Sequence, residues 1–416
     1  MKPLLVISFL SFALIWVSPA SSDAGGSGGG GFVETDGARF VLNGSPFYAN
    51  GFNAYWMMVI AADPSQRGRV SSALEEASGR GLVIARTWAF NDGGGWMALQ
   101  SSPGSYDEQV FQGLDFVVSE ARKYGMRLVL SLVNNYDSMG GKKQYVEWAR
   151  ARGQPVSSED DFFTNDLVKS FYKDHIKTVL TRRNSITGVT YRDDPTIMAW
   201  ELMNEVRCPS DPSAKTVQSW ITEMASYVKS IDRKHLLEAG LEGFYGPSSQ
   251  KMQQYPLHFQ VGTDFIANNQ IPDIDFTTVH SYPDQWLSNS NEDEQLSFLN
   301  NWIETHITDA QNMLRKPVLF AEFGKSSNGY SPDQRDRIFN AVYSTIYSSA
   351  SKGGAAAGGM FWQLLTEGLD SFQDGYGIVL SQGSSTVDII SLQSQKLNRI
   401  RKMFARRRHV KAGWKH

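Results

Sequence analysis

The chain has one cysteine, Cys208, among 416 residues. No disulfide can form within it, so the fold rests on its core alone, which a domain of this length can supply. Cys208 has no histidine near it in the sequence and reads as a small buried filler rather than a nucleophile. Histidine is scarce too: there are seven, scattered, with no His-Glu-x-x-His pair. That argues against a metal-dependent hydrolase, and neither a metal nor another cofactor is expected. No Gly-rich phosphate fingerprint follows the first apolar run, which argues against an open dinucleotide-binding sheet. An excess of one charge is also lacking, with 40 Lys and Arg against 43 Asp and Glu. Nothing in that balance attracts nucleic acid or an acidic membrane, and neither is an expected partner.

A long apolar run is missing everywhere except the N-terminus. There Lys2 precedes a nearly unbroken apolar stretch over residues 4–17, followed by Ser18-Pro19-Ala20. The stretch is short of the ~20 residues of a membrane span and has the layout of an export signal. Residues 1–24 are therefore expected to be removed, leaving a secreted, extracellular protein with no membrane contact. Residues 25–31 are a Gly/Ser tract, expected to be disordered. A single domain is predicted over 32–404. Residues 405–416 form a basic tail around Arg406-Arg407-Arg408, read as a solvated end.

Within the domain, Asn43-Gly44 between two short apolar runs signals a β-hairpin. Asn43-Gly44-Ser45 also fits a glycosylation acceptor, although Pro46 and the tight turn argue against its use. Eight β-branched or aromatic runs follow, at 47–55, 82–90, 127–135, 197–205, 236–244, 276–283, 317–324 and 359–365. Helix-like segments lie between them, at 107–124, 164–181, 213–231, 293–314 and 332–350. Proline follows a capping residue at Asp211-Pro212 and Ser331-Pro332, where first helical positions are expected. Eight strand candidates, each followed by a crossover, predict an α/β fold with a parallel sheet. Their number alone does not close it; with the fingerprint of the open, doubly wound rival missing, the expected fold is a (β/α)8 TIM barrel with a small N-terminal β-hairpin.

In such a barrel the chemistry sits where the strands end. The predicted ends carry Arg86 and Trp88, Asn134-Asn135, Asn204-Glu205, His280 and Tyr282, Glu322, and Trp362. Six apolar runs ending in polar or aromatic groups on one rim are hard to explain as core. Glu205 and Glu322, on strands four and seven, face each other across the mouth. A carboxyl pair of this kind cleaves glycosidic bonds, one group protonating the leaving oxygen and the other attacking the anomeric carbon or activating water. Arg86 and Tyr282 suit Glu322 and are expected to hold it ionised as the nucleophile. Glu205, beside Asn204 and His280, is then the proton donor, with its pKa expected to be raised. Glu201, deeper in the barrel by strand alternation, is expected to be a buried partner for an arginine. Phe320 and Glu322 are expected on one face. The 11 Trp, 16 Tyr and 23 Phe serve either as core or as flat platforms for sugar rings.

Trp200-Glu201-Leu202-Met203-Asn204-Glu205, Thr278-Val279-His280-Ser281-Tyr282-Pro283 and Phe320-Ala321-Glu322-Phe323-Gly324 together resemble glycoside hydrolase family 5, in the retaining clan A. With Arg86-Thr87-Trp88-Ala89-Phe90 and Asn134-Asn135-Tyr136, the layout resembles the plant endo-β-1,4-mannanases over about residues 32–404. That resemblance implies β-mannan polysaccharides as substrate and a cell-wall setting. It implies Glu205 as acid/base, Glu322 as nucleophile and Asn204 as a bond to the sugar 2-hydroxyl. It further implies that Tyr282 orients Glu322, that His280 braces Glu205, that Trp362 floors the sugar and that Trp88 lines the donor side. Asn134-Asn135 departs from clan members that carry histidine at the end of strand three. An endo-β-1,4-glucanase on the same fold, or a non-catalytic carbohydrate-binding barrel, are the alternatives.

Overall fold

The computed structural model of the chain describes residues 30–254 and 260–413; the predicted export signal and most of the Gly/Ser tract, within residues 1–29, lie outside them. Eight strands form one parallel sheet: β1 (Ala49–Asn53), β2 (Ile84–Trp88), β3 (Arg127–Ser131), β4 (Ile197–Glu201), β5 (Leu236–Glu238), β6 (Thr277–Ser281), β7 (Val318–Phe323) and β8 (Ala356–Phe361). Each pairs with the next in chain order from β1 to β5 and from β6 to β8, and β8 returns to β1. At the remaining seam, β5 and β6 are joined by single backbone bonds. Asp275 N donates to the Leu237 carbonyl at 2.8 Å and His280 N to the Glu242 carbonyl at 2.9 Å. The result is the predicted (β/α)8 barrel. Every strand residue is buried, as expected when helices cover a parallel sheet.

The covering helices are Arg67–Gly79, Glu108–Lys123, Asp166–Thr181, Lys215–Ile231, Phe265–Asn269, Glu292–Asp309, Pro332–Ser351 and Ser385–Gly413, one after each strand. Their starts are written in the sequence. Asp107 and Asn165 each accept two amide hydrogens of the following turn, and Ser331 and Gln334 form a reciprocal box around Pro332. Pro212 does not open its helix as expected. That helix begins at Lys215, and Asp211 caps it from a distance by accepting from Thr216 N at 2.9 Å.

Three further expectations shift. The hairpin is a three-stranded antiparallel sheet, Val33–Asp36, Arg39–Leu42 and Ser45–Pro46, with Asn43 and Gly44 both at positive φ in its second turn. Strand eight starts earlier than its β-branched signal because it is Ala-Ala-Gly-Gly at its base. A Cβ on Gly358 would overlap the Ala49 carbonyl of β1, so only glycine fits that approach. The last helix continues through Gly413, across the boundary where a solvated tail was expected.

The barrel interior is layered. Its base is apolar, with Ile84, Val129, Ala199, Leu236, Phe276 and Leu319 packed together. The N-terminal sheet closes it from below through Phe40, whose ring meets Phe276 edge-on at 5.1 Å. Two residues further along the strands the same face turns polar: Arg86 follows Ile84, Glu201 follows Ala199, Glu238 follows Leu236 and Thr278 follows Phe276. An apolar floor under an ionic layer excludes water from beneath the mouth.

Beside the mouth, on the loop after β2, Asp92 is buried, with Gln100 Nε2 at 3.1 Å and Tyr145 Oη at 3.5 Å, and burial pushes its carboxyl up to about 8. The folded state keeps a proton there that the unfolded chain, titrating near 3.9, releases. Stability from this group is therefore present below about pH 4 and declines as pH rises towards 8. Asp92→Asn should match the wild type in melting temperature near pH 4 and gain on it steadily up to pH 8, with a slope of at most about 1.4 kcal/mol per pH unit. A melting-temperature difference that is constant with pH would contradict this protonation state.

Candidate active site

The site is organised around one fully buried cation, Arg86 of β2. A guanidinium has five N–H donors, and all five are committed. Nε and one Nη2 hydrogen grip Glu201 at 2.7 and 2.8 Å. The other Nη2 hydrogen reaches Asn204 Oδ1 at 2.6 Å. The Nη1 pair bonds Asn53 Oδ1 at 2.9 Å and Glu322 Oε1 at 2.6 Å. Glu201 is thus the buried arginine partner that alternation along β4 predicted. Asn53, at the end of β1, escaped the sequence reading, although it obeys the same strand-end rule as the other residues.

Glu322 lies on β7, but not by simple alternation. Phe320 packs outward against the helices, with Leu319 and Ala321 inside, so Phe320 and Glu322 do not share a face. The ladder slips on both sides of Glu322, between Val279 and His280 on β6 and between Phe320 and Phe323 against β8. This irregularity re-aims the carboxylate into the mouth. There its second oxygen accepts from the Tyr282 hydroxyl at 2.6 Å.

Glu205 sits beyond the end of β4 with φ 52°, a left-handed conformation rare for a residue with a side chain. Strand alternation therefore does not extend to it; the left-handed turn aims its carboxylate. His280 Nδ1 lies 2.7 Å from Glu205 Oε1 and 3.6 Å from Glu322 Oε2. Ligating atoms of Glu205, His280 and Glu322 all fall within 4.8 Å of one another. That spacing also suits a metal, but the Arg86 guanidinium already bonds Glu322.

The two carboxyl groups are shifted in directions opposite to those expected of them. Burial, together with the Glu205 charge, outweighs the His280 and Arg86 cations and holds Glu322 above the usual carboxylate range. Burial also opposes ionisation of Glu205, but there the His280 hydrogen bond and charge prevail, helped by Arg207 and Tyr136, and hold it below that range. His280 is itself raised: burial opposes its charge, and Glu322 and Glu205 overcome that. For the two glutamates the expected directions are reversed, because weighing Arg86 against Glu322 leaves out burial and the influence of His280 on Glu205.

The cleft over this group has a volume of about 550 Å³. Trp362, just past β8, is half-buried on its wall, stacked on Tyr55 at 5.6 Å and donating from Nε1 to Asp374 at 2.7 Å. The peptide bond between Trp362 and Gln363 is cis. Trp88 lines the same cleft but is only 4% exposed, with the Arg86 guanidinium over its ring at 4.7 Å. Asn204 donates to Asn134 Oδ1 at 2.9 Å, which leaves one amide hydrogen uncommitted towards the cleft. All eight predicted site residues therefore meet at one mouth. Tyr136, Arg207 and Glu242 line it as well and were not predicted. Arg207 grips Glu242 at 2.6 and 2.7 Å, and burial with the Glu205 charge pushes Glu242 up to about 7. These three stand on loops after the strands, where no periodicity marks them. Cys208 is buried, its thiol pushed up to about 11 by burial, and so is no thiolate.

The geometry agrees with known proteins. Residues 30–368 match the family model "GH family 5 beta-mannosidase-like". Mannan endo-1,4-beta-mannosidase 7 of Arabidopsis thaliana is 65% identical over 388 residues, covering 93% of this chain and 90% of its own length. Mannan endo-1,4-beta-mannosidase 1 of Oryza sativa subsp. japonica is 64% identical, covering 92% and 90% respectively. Among solved structures, the endo-beta-1,4-mannanase from Thermotoga petrophila superposes with a TM-score of 0.75 at 31% identity, covering 86% of this chain and 78% of its own. With so much of the chain matched, and the barrel and its carboxylate pair in place, this protein belongs to glycoside hydrolase family 5, within its beta-mannosidase-like group.

Proposed function

We propose that this protein is an endo-β-1,4-mannanase that hydrolyses mannan, galactomannan and glucomannan with retention of anomeric configuration. The observation that carries this is the carboxylate pair. Oxygens of Glu205 and Glu322 lie within 4.8 Å across the cleft, with Arg86 bonding Glu322 and His280 bonding Glu205. Retaining enzymes hold their two carboxyl groups about 5–5.5 Å apart, whereas inverting ones leave room for water at ~6.5–9.5 Å. The names of the relatives support mannan over glucan, the alternative on the same fold.

Glu322 is the nucleophile in this reading, because Arg86 and Tyr282 fix both of its oxygens. Its carboxylate attacks the anomeric carbon while the glycosidic C–O bond breaks and Glu205 passes a proton to the leaving oxygen. Water then enters, gives a proton to Glu205 and displaces Glu322, restoring both groups. The proton for the first step is held by the Glu205–His280 pair across their 2.7 Å hydrogen bond. Asn204 offers its free amide hydrogen to the sugar 2-hydroxyl, Trp362 stacks under the ring, and Trp88 borders the donor side. A sugar arriving in place of water would be transferred instead, so transglycosylation is a side reaction. The N-terminal signal supports secretion and action on cell-wall mannan.

Glu322→Ala should nearly abolish turnover, and azide should restore part of it with an inverted glycosyl azide as product. Glu205→Gln should lose ~10²–10⁴-fold on mannan but much less on aryl mannosides with good leaving groups. Equal losses of Glu205→Gln and Glu322→Gln on such activated substrates would refute the division of roles.

The pH profile of kcat/KM should be a bell. On the acid side, protonation of Glu322 removes the nucleophile, and its raised pKa places that limb above an ordinary glutamate's ~4.3. On the basic side, the Glu205–His280 pair loses its proton, and the raised His280 puts that limb above ~6.5. Limbs at or below those values would show the charge distribution to be wrong.

Initial rates on galactomannan and glucomannan should far exceed those on a soluble cellulose. The reverse order would assign the enzyme to glucan.

A further inference from the structure

Glu238 has no part in the chemistry above, yet it lies at the rear of the same ionic layer. It is the last residue of β5 and pairs in register with Glu201 on β4. Neither side chain is reached by solvent. One Glu238 oxygen accepts from the Gly240 amide and from the Thr278 hydroxyl at 3.1 Å. The other, Oε1, has no hydrogen-bond partner among the described residues. Two adjacent buried carboxylates cannot both ionise. Glu201 is committed to its charge by two bonds from Arg86. Among the described residues no cation bonds Glu238, and burial and the Glu201 charge outweigh the Arg86 charge and hold it well above the ordinary range. A proton on the orphaned oxygen satisfies both groups: Glu238 becomes a donor, and Glu201 accepts its bond.

We propose that Glu238 is a positioning residue for the reaction, acting on Glu322 through Glu201 and Arg86 by donating a hydrogen bond to the back of Glu201. The bond draws electron density from Glu201 and weakens its hold on Arg86, leaving more of the guanidinium's field for Glu322 in front. Around Glu201 the other facing groups include Arg86 from β2, Ser131 from β3 and the buried Tyr172. Around Glu322 they are Arg86, His280, Glu205 and Tyr282. Within this set Glu238 is the neutral acid, so the mouth gains a hydrogen bond without a further negative charge. This rests on the hydrolase reading of Glu322.

Two substitutions and a spectrum test it. Glu238→Gln keeps a donor and should retain kcat within about threefold, with an unchanged acid limb. Glu238→Met fills similar space without a donor. It should lower kcat at least tenfold with KM nearly constant, and should move the acid limb to higher pH as Arg86 is drawn back to Glu201. A purely structural role would leave the pH profile in place. Infrared difference spectra of wild type minus Glu238→Gln at pH 7 should show the C=O stretch of a protonated carboxyl. Absence of that band overturns the proposal whether or not the Met variant folds. So does an unshifted profile in a folded Met variant, or a Gln variant as damaged as the Met one. Wild type inactive on mannan would sink the functional reading instead, while the infrared band would still be decided.

Discussion

The mouth of the barrel depends on one buried guanidinium. Arg86 has no water to turn to, so each of its five hydrogens must meet a protein acceptor, and the acceptors come from β1, β7 and β4 with the turn beyond it. Burying an ion pair costs several kcal/mol per ion, and an apolar replacement of the same shape is often more stable. Arg86 and Glu201 are therefore poor value as stabilisers. Their effect is geometric: a planar, fully committed cation fixes where Glu322 and Asn204 stand relative to each other, and a closed ring of strands prevents any of them from moving alone.

The same constraint explains the layered interior. A cation held this way needs a dry surrounding, and the apolar base sealed by Phe40 against Phe276 supplies it. The three-stranded sheet at the bottom and the chemistry at the top are thus linked through the dielectric of the core. Water let in from below would weaken each charge interaction above.

Much of this was legible in the sequence, and what was not has physical causes. Strand ends rich in polar groups pointed to the mouth, because an apolar run seldom ends in a charge without reason. Alternation placed Glu201 correctly, since it lies within a regular strand. It failed for Glu322 and was inapplicable at Glu205, since a ladder slip and a left-handed residue are local departures that no period encodes. Strand eight began earlier than expected because close strand contact selects Ala and Gly, which carry no β signal. Glu238 lay inside a predicted strand and was passed over, since its role appears only once Glu201 is beside it. Tyr136, Arg207 and Glu242 were given no site role, although Tyr136 and Glu242 lie in or beside predicted runs, because loops bring the three together.

The charges show why local reasoning was least reliable there. Arg86 next to Glu322 suggests a strongly ionised nucleophile, and the contact is indeed present at 2.6 Å. But Arg86 also bonds Glu201, so its field is divided, while burial and Glu205 act on Glu322 undivided. His280 lies between the two carboxylates and is charged by both. Glu205, His280 and Glu322 are therefore linked electrostatically, each shifting the titration of the other two. In the reaction proposed above, attack by Glu322 on a sugar would cancel one of the two negative charges that raise His280. A proton on the Glu205–His280 pair would then become easier to release just as the leaving oxygen needs it, so the chemical step itself would separate the roles of two carboxyl groups that act on one histidine.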